Sequence, residues 1–282
     1  MKGIIKNIFS FIVSMITVIM IFIMSITLLL DKVILNEKTY TKILEDKKIS
    51  KQVESYIYNN LDNLLTLNKL PAKTLDGVIS LSEIESRLHE YVDFTVEFMK
   101  NRSGEISSLD MDTYEKRILK KANLLTEEQQ KRLINIKESV LNIINNSLKV
   151  INLSGLYKSS IVEVIMIMWE IVSYNNFSKM IILNIVLLTM SHFFIWRKNK
   201  KYKRQVWVPY PFICGGTLVF MVGISGYLSQ FYGSLNIDVE YIKIISTSIM
   251  NTYFLKFGFI GIIFITIGMW MRLIYKKRLL KI

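Results

Sequence analysis

The sequence predicts an all-α membrane protein, with four transmembrane helices and an extracytoplasmic helical bundle inserted between the first helix and the second. Three observations predict it. Four apolar runs are each about long enough to cross a hydrocarbon core of roughly 30 Å at 1.5 Å per residue. The polar stretch between the first two runs repeats its apolar residues at three-and-four spacing and nowhere alternates strictly over six or more positions. Basic residues without acidic partners gather at three places that such a topology puts on one side.

The first run, 7–30, follows Lys2 and Lys6. Its apolar part exceeds the roughly 7–15 residues of a cleaved signal peptide and ends in Leu28-Leu29-Leu30-Asp31 with no small-x-small site, so residues 1–30 are expected to be an uncleaved signal anchor. Residues 31–176 are enough for one compact domain, and the placement of the spans puts it outside the cytoplasm. Its one-sided apolar stripes predict helices. Tyr40, Ile43 and Leu44 share a face over 36–48; Ser50 is expected to cap a helix carrying Val53, Ile57, Leu61, Leu64 and Leu65. Pro71 and Gly77 mark a loop, after which Leu81, Ile84, Leu88, Tyr91, Val92, Thr95, Phe98 and Met99 form a stripe about 100° wide over 80–100. A break at 101–108 containing Gly104 precedes a short helix at 111–122 with Tyr114 and Ile118 inward. Thr126-Glu127-Glu128-Gln129 matches a capping box and is expected to open one long helix through Leu133, Ile136, Val140, Ile143, Ile144 and Leu148. A more apolar helix over 157–174, with Trp169 near its end, leads toward a bend at 175–176. The only cysteine, Cys214, lies in an apolar run, so the outer domain is held by packing without intrachain disulfides.

The C-terminal region, 177–282, holds spans at 177–196, 206–229 and 253–271. Between the first two of these, Arg197, Lys198, Lys200, Lys201, Lys203 and Arg204 form a string with no acid, which the positive-inside rule assigns to the cytoplasm. Arg272, Lys276, Lys277, Arg278 and Lys281 follow the last span, so both termini are expected in the cytoplasm of a multi-pass cell-membrane protein. These residues with Lys2 and Lys6 account for the whole formal charge of +13; the other basic residues balance the 23 acids. The charge is therefore topological and argues against a nucleic-acid partner. The partners it implies are the lipid bilayer and anionic headgroups at the cytoplasmic face, each nearby charge adding on the order of 1 kcal/mol.

The connector 232–252 also has helical spacing at Ile237, Tyr241, Ile244, Ile245 and Ile249, and Asp238 and Glu240 favour packing under the bundle over lying among headgroups. Gly216 and Gly223 sit seven apart, as do Gly261 and Gly268, a spacing that would let the last two spans approach as a close hairpin. His192 and Lys256 lie within one turn of the span edges, where both can snorkel.

No residues are assigned to catalysis, a cofactor or a metal. His89-Glu90-Tyr91-Val92-Asp93 starts like a zinc-protease helix but has Asp where the second histidine must stand. Glu85, His89, Asp93 and Glu97 form a polar ladder at four-residue spacing, which reads first as a solvated helix face and second as a site for a cation or basic partner. Asp110-Met111-Asp112 lacks the glycine and closing glutamate of a calcium loop and fits helix capping.

In layout, one span, a large outer domain and three clustered spans, the chain resembles permease subunits of the cell-division and macrolide-exporter ATP-binding-cassette type. It also resembles the uncharacterised four-span membrane proteins of low-GC Gram-positive bacteria that carry a helical extracytoplasmic domain. The expected function is a non-enzymatic membrane protein whose outer bundle senses or binds a protein partner, or a second copy, at the cell surface. A permease subunit and a membrane-embedded enzyme are the alternatives.

Overall fold

The structure is a computed structural model that describes residues 2–101, 106–150, 177–199, 201–234 and 240–280. The regular elements among them are all helical: α1 (Lys2–Leu29), continued by a π turn at Leu30–Ile34, α2 (Glu37–Asp46), α3 (Ile49–Leu67), α4 (Leu81–Asn101), α5 (Met111–Ala122), α6 (Glu127–Asn135) and α7 (Lys137–Val150). They are followed by α8 (Phe177–Lys198), α9 (Lys201–Trp207), α10 (Tyr210–Ser229), a 3-10 turn at Phe231–Ser234 and α11 (Glu240–Leu280). The helix expected over 157–174 with Trp169, the bend at 175–176, Gly104, Ile237, Asp238, Lys200 and Lys281 lie outside the described residues, as do the side chains of Lys201 and Arg278. Packing divides the chain into a membrane unit (Met1–Asn36, Trp169–Asn236 and Ser246–Ile282) and a helical unit (Glu37–Met168 and Ile237–Ile245).

The protein is an all-α, multi-pass membrane protein, but the expected count of four spans is corrected. Among the described residues three helical stretches are long and apolar enough to cross a membrane: Asn7–Ile34, Tyr210–Gly233 and Glu240–Lys277. The stretch expected as the second span is helical, as α8, and packs on α1. Its apolar part, 180–196 between Lys179 and Arg197, is only about 25 Å long at 1.5 Å per residue, and Asn184 and His192 interrupt it. Two further boundaries move. The third expected span begins after a break at Val208 and Pro209, with α9 before it, because Pro209 has no N–H to continue a helix. The connector is no separate element over 240–252, since α11 runs unbroken from Glu240.

In the membrane unit α1 is the common neighbour. Ser10, Ser14, Thr17, Ile21 and Ser25 recur every three or four residues and are buried, while Ile5, Ile8, Ile12, Ile16, Ile19 and Ile23 form the exposed face. Three of those hydroxyls and that of Thr27 turn back onto the carbonyl four residues earlier: Ser14 to Ser10, Thr17 to Val13 and Ser25 to Ile21 at 2.8 Å, and Thr27 to Ile23 at 2.9 Å. The polar atoms are thereby satisfied within the helix and the face stays narrow, which lets α8 and α10 approach. Ile21 meets α10 at Gly215, where an added Cβ would stand 3.1 Å from its Cδ1.

The helical unit is organised by α3, whose Ile49, Val53, Ile57, Leu61 and Leu65 are fully buried at four-residue spacing. This ridge packs between α4 and α7. Facing it, α4 buries Ile84, Leu88, Tyr91, Val92, Val96 and Met99. Tyr241, in the first turn of α11, belongs to this unit and sits edge-on to Tyr56 at 6.1 Å.

Local signals explain most helix ends here. The capping box at the start of α6 is present, with Thr126 N–H donating to Gln129 Oε1 and Gln129 N–H to Thr126 Oγ1, both at 3.4 Å. The single helix expected beyond it is instead two, α6 and α7, parted by a one-residue turn at Ile136, whose φ of −98° and ψ of 3° leave the helical range; α6 packs on α5, and α7 on both α3 and α5. Ser50 is not the cap of α3. The turn after α2 leaves Lys48 left-handed at φ 49°, the helix starts at Ile49, and Ser50 Oγ donates to Glu85 Oε1 at 3.2 Å.

Candidate functional site

The helix α4 carries the densest polar chemistry of the helical unit, on two different sides. On the outer side Glu85, Asp93 and Glu97 are exposed and His89 is half-buried. Among the described residues no group of three His, Cys, Asp or Glu is placed to hold a metal ion. The ladder is a water-facing stripe held together by the helix alone, with Ser50 touching its first member.

The inner side was not legible as a unit in the sequence. Arg87 is buried and pairs with Glu90 one turn away; its Nη1 donates to Ser107 Oγ at 2.7 Å and its Nη2 to the Ser107 carbonyl. Glu90 accepts from the Ser107 hydroxyl and, at 2.8 Å, from the Ser107 N–H, and the guanidinium lies 5.2 Å from the Tyr91 ring centre. Burial raises the Glu90 carboxyl, but the hydrogen bonds from Ser107 and Arg87 outweigh it and hold the group below its ordinary range. Tyr91 moves up through burial, against the pull of Arg87. The long-range partner, Ser107, gives no signal in a one-dimensional pattern.

A second node ties the loop before α4. Ser80 and Glu83 form a reciprocal cap, Ser80 N–H donating to Glu83 Oε2 at 2.8 Å and Glu83 N–H to Ser80 Oγ at 3.2 Å. That pattern, Ser-x-x-Glu, was readable in the sequence and was missed. Arg117 of α5 grips both Glu83 oxygens at 2.9 Å and donates to the Val78 carbonyl at 2.9 Å. Burial pushes Glu83 up, yet these donors win and its carboxyl falls below the ordinary value, while Glu83 raises Arg117. The Tyr58 hydroxyl completes the loop: it accepts from Gly77 N–H at 3.0 Å and Ile79 N–H at 3.2 Å and donates to the Ile79 carbonyl at 2.8 Å. Gly77 takes φ 78°, a turn conformation that a side chain would resist.

Chemically these nodes have one character. The shifted carboxyls move toward permanent charge, and the shifted phenols of Tyr58, Tyr91 and Tyr114 move toward permanent neutrality by burial. Asp110 is the N-cap of α5, its carboxylate accepting from Thr113 Oγ1 at 2.6 Å and Thr113 N–H at 3.3 Å, and those bonds lower its carboxyl.

In the membrane unit the geometry brings the basic positions to one end. Lys203 Nζ donates to Asn7 Oδ1 at 2.8 Å, and buried Asn199 donates to Ser10 Oγ at 3.1 Å, which ties the string 197–204 to the start of α1. An added Cβ on Gly268 would stand 3.0 Å from the Pro209 carbonyl, so the part of α11 that leads to Arg272, Lys276 and Lys277 lies beside the start of α10. Arg197 and Lys198 are exposed at this end.

The glycines meet as backbone on backbone. An added Cβ on Gly216 would stand 2.7 Å from the Gly261 carbonyl oxygen, and one on Gly223 would stand 2.7 Å from Gly258 Cα. Gly261 faces Phe220 N as well as the Gly216 carbonyl. Gly258 belongs to this seam, though the seven-residue spacing did not mark it. No protein family, curated protein or solved structure matches the chain.

Proposed function

We propose that this chain is a non-enzymatic cell-membrane protein in which the membrane unit anchors and the helical unit, outside the cytoplasm, binds a protein partner at the cell surface. One observation carries the reading: the helical unit has its own apolar core, and its pairs Arg87–Glu90 and Arg117–Glu83 hold loops to helices. The exposed stripe Glu85, Asp93 and Glu97 presents an acidic face, suited to a basic partner. The basic end of the membrane unit faces the cytoplasm in this reading, and Lys2 and Lys276 with it. In chain order the helical unit follows α1, beginning at Glu37.

Two measurements test it. In a Cys214→Ser background, a membrane-impermeant thiol reagent should label a cysteine at position 93 in intact cells and reach one at position 276 only after lysis; the reverse pattern sinks the orientation. A photo-crosslinker at position 89, between the carboxylates of the stripe, should trap a discrete partner, and Glu97→Lys with Asp93→Lys in that chain should abolish the product. A charge-reversed chain that crosslinks as well as the original removes the acidic stripe as the contact. A second reading, a transport subunit driven by an ATPase, is favoured by α9, a short helix in the basic connector. Repeated recovery of an ATPase with the full chain, lost on deletion of 201–207, would support that reading over the first.

A further inference from the structure

We propose that the basic end of the membrane unit holds a defined anionic phospholipid, its headgroup phosphate received by Arg204 and Lys203. The inference rests on reading that end as a membrane surface. Beyond that reading it names a built site.

Arg204 is preorganised. Its guanidinium carbon lies 4.3 Å from the centre of the Trp196 ring, and its Nε donates to the Asn199 carbonyl at 2.9 Å. Asn199 is itself buried and fixed by two donations, to the Ile195 carbonyl at 2.8 Å and to Ser10 Oγ at 3.1 Å. The arginine is therefore held from behind by a chain of bonds reaching into α1. A stacked guanidinium keeps its planar fork available for a phosphate with little entropy left to lose. Lys203 stands beside it in sequence, its ammonium steered by Asn7, a neutral partner that leaves the charge uncompensated.

The second observation is the missing counter-charge. There is no Asp or Glu in 1–30, in 177–236 or in 241–282. Among the described residues the arginines Arg87, Arg117 and Arg132 each pair with a glutamate. At the edge of a bilayer the neutralising group must come from outside the unit, and a tryptophan face marks the depth at which phosphates lie. A diffuse basic surface would attract anionic lipid generally; a bond-held arginine on an indole predicts unequal contributions from the cations.

The test uses the full chain in detergent micelles with native mass spectrometry, at an ionic strength of about 0.15 M. Phosphatidylglycerol should be retained about tenfold better than phosphatidylcholine. Arg204→Gln should remove most of that preference, Arg204→Lys part of it, and Lys276→Gln less than about twofold. Equal losses in Arg204→Gln and Lys276→Gln, or no preference in the original chain, overturn the proposal. Displacement of the lipid by millimolar inorganic phosphate would overturn the lipid as ligand and leave a free-phosphate site. If Arg204→Gln does not fold, Asn7→Asp serves instead, since it neutralises Lys203 in place; unchanged retention there counts against the site. Retention in micelles does not depend on which face was cytoplasmic, so a failure of the orientation shows only in the thiol labelling.

Discussion

The membrane unit and the helical unit are both built of helices, and they solve opposite packing problems. In the helical unit large apolar side chains interlock, with Ile57, Leu61 and Ile84 fully buried, and the buried charge of Arg87 is tolerated because Glu90 answers it. In the membrane unit the contacts are made by what is absent from the side chains: Gly216 and Gly223 against Gly261 and Gly258, and the narrow hydroxyl face of α1. Water drives the first arrangement by expelling apolar surface. Lipid gives no such drive, so dispersion at close backbone approach takes its place. The same residue change should therefore have different consequences in the two units.

Gly216→Leu should show the largest effect. Its side chain would press on the Gly261 carbonyl and the Ile265 N, both 2.7 Å from the first added carbon, and backbone cannot yield as a side-chain tip can. A loss at or above the upper end of overpacking, about 3 kcal/mol, is expected, read as loss of a monodisperse folded species in detergent. Gly258→Ala is the control from the same seam. Its Cβ would meet nothing nearer than Ile224 N at 3.9 Å, so a melting temperature as low as that of Gly216→Leu would break the distinction.

Arg87→Met comes next. It takes the cation from Glu90, which keeps its donors on Ser107, and the donor from the Ser107 hydroxyl and carbonyl oxygens, at a cost of about 2 kcal/mol after allowance for the partly exposed Glu90 side chain. Thermal melting of the full chain checks this, and the double change Arg87→Met with Glu90→Gln should recover part of the loss. No comparable pair exists among the described side chains of α1, α8 and α10, which carry no acid at all.

Acid should separate the two units. The folded-state carboxyls of Glu83 and Glu90 lie below their ordinary value of 4.5, so their contribution is complete above that pH and fades as pH falls through the depressed values. Helical signal from the helical unit should melt earlier at pH 3 than at pH 6, and Glu83→Gln with Glu90→Gln should flatten the dependence. A variant that keeps the full acid sensitivity would show that other groups carry it. The smallest effect is expected of Thr126→Ala, about 0.5 kcal/mol, because both capping contacts are long at 3.4 Å.

Much of this architecture is legible in one dimension because its causes are periodic. The stripe from Val53 to Leu65, the capping residues Thr126, Gln129 and Asp110, and the inward residues Tyr114 and Ile118 follow from helical spacing and local hydrogen bonding alone. Hydropathy likewise finds α1, α10 and the apolar part of α11. It counts α8 as their equal because a window average does not register how short the run from 180 to 196 is, nor how Asn184 and His192 divide it.

By itself the amino-acid sequence determined the helical class, the apolar stretches and the one-sided distribution of positive charge, since each depends on neighbours within a few turns. Only the tertiary structure decided that Ser107 closes the Arg87 node, that Asn199 reaches Ser10 across 189 positions, and that Gly258 joins the glycine seam. Those contacts join residues from separate elements. Their partners are selected by how the helices pack, and no local periodicity encodes that choice.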